Sequence, residues 1–74
     1  MGRIRSNLKA LADSRGIGIR QIARDIDYRY ETVRQMYNDE SKQFPRDLLD
    51  KLCTYFDCDI NELLLFEEEK DPHE

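Results

Sequence analysis

Tryptophan is absent from this 74-residue chain, glycine occurs three times, proline and cysteine twice each, and histidine once. Each scarcity removes a class of answer. Without tryptophan, and with three Phe and four Tyr, the core must come mainly from Leu, Ile and Val. Two cysteines, Cys53 and Cys58, make no disulfide framework, and no segment before them resembles a secretory signal. A reducing cytosol, and hence a cytoplasmic protein, is expected. The longest apolar run, Leu63 to Phe66, is four residues, far short of the roughly 20 that a membrane helix needs. The one histidine, His73, lies in an acidic stretch, and two cysteines without a neighbouring histidine do not complete a zinc site. Gly16 and Gly18 form no phosphate loop, and Glu67, Glu68 and Glu69 lack the alternating spacing of a calcium loop. The inventory predicts no enzyme, cofactor, metal or small-molecule ligand.

A net charge of −4 argues at first against a polyanionic partner. Its distribution argues otherwise. Residues 1–46 hold ten basic and six acidic side chains, whereas residues 47–74 hold two basic and ten acidic ones. Only the first part suits nucleic acid.

Helical spacing of Ile4, Leu8, Leu11 and Ala12 predicts a first helix from about Arg3 to Arg15, stopped by Gly16. A second, Ile19 to about Asp25, buries Ile22, Ala23 and Ile26. After a tight turn at residues 26–29, a third runs from about Tyr30 to Tyr37 with Val33 and Met36 inward. Phe44-Pro45 opens a fourth, with proline suited to the first helical position and Asp47 favoured by the helix dipole. Its apolar stripe is Leu48, Leu49, Leu52, Cys53 and Phe56. Asp59 and Glu62 have capping-box spacing for a short fifth helix with Ile60, Leu63 and Leu64 inward. The chain divides into one domain, residues 1–66, and an acidic tail, 67–74, expected to be disordered.

Ala23 is small where two helices would touch, with Ile22, Ile26, Tyr28, Val33 and Met36 around it. With the run from Pro45 to Leu64, this pattern resembles the Cro/C1-type (phage repressor-like, often called XRE) family over roughly residues 3–65. The resemblance implies an all-α, compact five-helix, lambda-repressor-like DNA-binding domain. Its helix-turn-helix would lie in helices 2 and 3, and its function would be sequence-specific transcriptional regulation as a repressor or activator. Three positions depart from the family pattern. Asp27 and Asp39 stand where glycines are favoured, and Ile19 where many members place a glutamine on the DNA backbone.

The resemblance makes the third helix the recognition helix in the major groove. Its outward residues Arg29, Tyr30, Glu31, Arg34 and Gln35 become base-contact candidates, since Arg pairs bidentately with guanine and Gln with adenine. Arg20, Gln21, Asn38, Lys42 and Arg46 become phosphate candidates. Glu31 and Arg34 also have ion-pair spacing, and Tyr30 fits phosphate, a thymine methyl or the core edge. The partners implied are double-stranded DNA and a second copy of the chain through its C-terminal helix. Four successive apolar residues cannot all turn inward from a helix, so Leu65 and Phe66 are interface candidates. Alternatively Phe66 folds back on Leu52 or Tyr55 in a monomer. A protein-interaction module with the same fold and no DNA role is the competing function.

Overall fold

The computed structural model describes residues 2–68. Five helices form the body: α1 (Leu8–Arg15), α2 (Ile19–Asp25), α3 (Tyr30–Tyr37), α4 (Arg46–Phe56) and α5 (Ile60–Leu63). Two strands, β1 (Gly2–Ser6) and β2 (Leu64–Glu68), pair antiparallel with Gly2 opposite Glu68 and Ser6 opposite Leu64. The fold is therefore mostly helical but not all-α.

The first correction concerns residues 3–6, expected to open the first helix. They are strand, and Ile4 is 52% exposed although it shares helical spacing with Leu8. Pairing with β2 supplies the backbone partners that a helical turn would otherwise have given. The second concerns Leu64–Phe66. A helix running on past Leu63 would have had to accommodate four successive apolar residues. The chain turns extended at Leu64 instead, and side chains there alternate between two faces. A third correction follows, because Glu67 and Glu68 of the expected frayed tail belong to β2. Residues 69–74 lie outside the described residues.

The other elements form largely where the pattern put them. α2 and α3 have the expected bounds. Pro45 is the residue before the first helical position of α4 and not that position itself, with Asp47 in the first turn. Asp59 and Glu62 make the reciprocal capping box at α5, satisfying two N–H groups that a helix start leaves without partners. Ile60, expected inward, is 48% exposed, while Leu63 is fully buried.

One core joins every helix: Leu8 and Ala12 from α1, Ile22 and Ala23 from α2, Ile26 after it, Val33 and Met36 from α3, Leu48, Leu52 and Phe56 from α4, and Leu63 from α5. The end of α1 grips the end of α4. The Arg15 guanidinium donates to the Phe56 carbonyl and lies 5.4 Å from the centre of its ring. The sheet, by contrast, is exposed except at its Ser6–Leu64 end, so it stands off the helical body.

Among the described residues three aspartates adopt left-handed backbone, Asp27 (φ 54°), Asp39 (φ 59°) and Asp57 (φ 51°). This conformation is unfavourable for residues with a side chain, though Asp tolerates it better than most. Asp39 offsets the strain by contact. Its carboxylate accepts the Ser6 backbone N–H at 2.9 Å and pairs with Arg3 at 3.2 Å and Arg5 at 3.5 Å. It thereby pins β1 to the end of α3. Asp39→Gly removes the strain and the anchor together, whereas Asp39→Ala removes the anchor and keeps the strain. The alanine variant should be less stable than the glycine variant by about 1 kcal/mol, read as the difference in urea midpoints. Equal midpoints for the two would show that backbone strain at Asp39 is negligible.

Candidate nucleic-acid interface

The site is built on two short helices and the turn between them. Ile22 and Ala23 of α2 and Val33 and Met36 of α3 are buried, so each helix has one face committed to the core. The Tyr28 N–H donates to the Ala23 carbonyl at 2.9 Å and the Asp27 N–H to Arg24 at 3.2 Å. Together with the left-handed Asp27, these bonds close the turn.

Three contacts fasten this unit to α4. The Tyr28 hydroxyl donates to Asp47 at 3.1 Å, the Tyr55 hydroxyl to Asp25 at 2.6 Å, and the Lys51 ammonium to the Ile26 carbonyl at 3.0 Å. The Lys51 cation sits where the end of α2 presents free carbonyls, which favours positive charge. Both phenols are held above their ordinary range, Tyr55 chiefly by its bond to Asp25 and Tyr28 chiefly by burial.

Burying Val33 and Met36 turns the opposite side of α3 outward. Arg29, Tyr30, Glu31 and Gln35 are exposed, and Arg34 and Thr32 are half-exposed. Arg29, Lys42 and Arg46 are exposed and pair with no carboxylate among the described residues. Arg34 is placed differently. Its guanidinium donates twice to Glu31, at 2.6 and 3.1 Å, and once to Glu40 at 3.3 Å. Those carboxylates raise the arginine's pKa and its bond lowers that of Glu31. The expected Glu31–Arg34 pair is thus present. Glu40, brought back by the turn at Asp39, is a partner that helical spacing does not reveal.

Arg20 and Tyr30 meet at the start of the two helices, with the guanidinium 5.7 Å from the ring centre. Tyr30 remains 41% exposed. A depression between α3 and the following loop is lined by Thr32, Gln35, Glu40, Ser41, Lys42, Gln43 and Pro45. It brings a base-contact candidate, Gln35, beside a phosphate candidate, Lys42. A second depression joins Arg29 to Thr32, Asp27, Tyr28 and Pro45. Thr32 lines both and was missed from the sequence. Its spacing of three residues from both Arg29 and Gln35 was the available signal. Gln21 and Asn38 are exposed at opposite ends of the motif. Leu65 and Phe66 lie apart from this surface, on β2.

Two helices packed through a small alanine, joined by a tight turn, with the second exposing a polar face, define a helix-turn-helix. The chain belongs to the Cro/C1-type HTH DNA-binding domain family, whose sequence model matches residues 7–69. No curated protein and no solved structure matches the chain significantly. No helix among the described residues is long and apolar enough to cross a membrane.

Proposed function

We propose that the chain is a sequence-specific transcriptional regulator of the repressor type, acting in the cytoplasm on double-stranded DNA with α3 in the major groove. The observation that carries this reading is the two-sidedness of α3. Val33 and Met36 are fully buried while Arg29, Glu31 and Gln35 stand in solvent beside Arg34. Base edges are read by Arg34, Arg29 and Gln35, with Tyr30 and Glu31 beside them. Phosphates are held by Arg20, Gln21, Asn38, Lys42 and Arg46. Glu31 presents the Arg34 fork edge-on, so that guanine replaces Glu40 and the Glu31 bond keeps the plane fixed.

Selection of duplexes from a random pool, followed by titration of the winner, tests the reading. Arg34→Ala should weaken binding to the selected site by about 1–3 kcal/mol per half-site and relax preference at one base pair. An equal loss on selected and random duplexes would make Arg34 a phosphate contact.

The chain is proposed to act as a dimer. The surface assigned is now a sheet face and not a helix. Ile4 and Phe66 are opposite one another in register and are 52% and 69% exposed. Phe66 does not fold back on Leu52 or Tyr55, since its ring stands over Gly2 across the sheet. Leu65, 41% exposed, projects from the other face beside Arg5.

A second reading, a protein-interaction module, is favoured by one observation: the Arg34 guanidinium is already occupied by two carboxylates. Failure of the random pool to yield any enriched duplex would select it.

A further inference from the structure

Cys53 and Cys58 are not used by the DNA-facing surface, yet the fold places them together. α4 ends on the left-handed Asp57. Two backbone bonds close that end: the Cys58 N–H donates to the Cys53 carbonyl at 3.0 Å and the Asp57 N–H to the Thr54 carbonyl at 3.3 Å. This pair of bonds is the Schellman arrangement, in which the residue after the left-handed one packs its side chain against the residue five positions before it. Ordinarily that contact is between two apolar side chains. Here both are cysteines.

Both are free thiols, half-buried against the core. Burial pushes the Cys58 thiol up from its ordinary range, and the neighbouring Cys53 sulfur adds to the shift. A carbonyl–amide bond between these same two residues holds their Cα atoms near the span of about 4.4–6.8 Å that a disulfide requires. Both cysteines keep part of their surface in solvent and Asp57, between them in the chain, is exposed, so a small reagent can approach the corner.

We propose that Cys53 and Cys58 are a reversible oxidation site that forms an intramolecular disulfide by exchange with a low-molecular-weight disulfide. One cysteine thiolate attacks a sulfur of the reagent, forming a protein–reagent mixed disulfide and expelling one reagent thiolate. The second cysteine thiolate attacks the protein sulfur of that mixed disulfide and expels the other reagent thiolate. The two protein thiols lose two electrons and two protons, and the reagent disulfide gains them as two thiols. The new bond staples the turn that follows α4 to the last turn of that helix, beside the buried Phe56.

Equilibration of the full chain in glutathione redox buffers, with acid quenching and intact-mass analysis, tests the site. The expected product is a monomer lighter by two hydrogens. Its equilibrium constant should be at least about tenfold larger for the folded chain than for the same chain in urea, because the fold holds the sulfurs together. By linkage, the oxidised chain should then unfold at higher urea than the reduced one. Cys58→Ser should stop at the mixed disulfide on Cys53. The proposal is overturned if the folded wild type carries glutathione on both cysteines or forms cross-linked dimers. It is equally overturned if its equilibrium constant does not exceed that in urea.

Discussion

Phe56→Ala should destabilise the chain by about 3–5 kcal/mol, the range for removing a large aromatic side chain from a packed core. The ring is 1% exposed, meets Tyr55 edge-on at 5.1 Å and carries the Arg15 guanidinium on its face. Cavity formation and loss of the ring half of the α1–α4 grip therefore fall on one residue, while the Arg15 bond to the backbone carbonyl at position 56 is kept. Small domains hold only about 5–15 kcal/mol in total, and a chain of this size belongs near the bottom of that range. The variant should be close to half unfolded without denaturant, seen as loss of helical circular dichroism and a urea midpoint near zero. A loss below about 1 kcal/mol would mean that Phe56 is not the keystone at the end of α4. Since α4 also holds Tyr28 and Asp25 through Asp47 and Tyr55, the variant should lose DNA binding along with stability.

Phe66→Glu should have the largest effect on binding with the least on folding. Phe66 is outside the core and 69% exposed, so its replacement leaves the urea midpoint nearly unchanged at protein concentrations too low for the wild type to dimerise. A dimer reading two half-sites gains affinity over one half-site by a factor on the order of 10²–10⁴, because the second contact is intramolecular. A charged residue in the centre of the Ile4–Phe66 face removes that gain. Sedimentation should show wild-type dimer and variant monomer, with operator affinity lower by about that factor. Equal affinity and equal mass for the two proteins would remove the sheet face from the assembly.

The helical part of the fold was legible because its signals are local. Gly16, Pro45 and the Asp59–Glu62 pair mark helix ends within a few residues of the elements that they bound. The spacing of Ile22, Ala23, Val33 and Met36 fixes which faces turn inward. The sheet was not legible, because its strands are separated by the whole body of the chain. Ile4 pairs with Phe66, and nothing near either residue announces the other. Ile4 and Leu8 also imitate a helical repeat, and a run such as Leu63–Phe66 has no period to distinguish helix from strand.

The site divides in the same way. The pairing of Arg34 with Glu31 follows from a spacing of three on one helix. Glu40 reaches Arg34 only because Asp39 takes a left-handed turn, and Asp39 reaches Ser6 across 33 residues. The strain at Asp27 was visible as an aspartate in a turn. That Asp39 would answer its strain with three contacts to β1 depended on a strand that the sequence did not show.

Reading of base edges by α3 is tested most directly by one titration. Affinity for the selected duplex and for a scrambled duplex of equal length is measured across a salt series. Both should weaken with salt, with a log–log slope of about −0.9 for each phosphate neutralised. The selected duplex should stay tighter by a factor on the order of 10³ or more at every salt concentration. Two superimposable curves, or no binding to either duplex at low salt, would contradict sequence reading by α3.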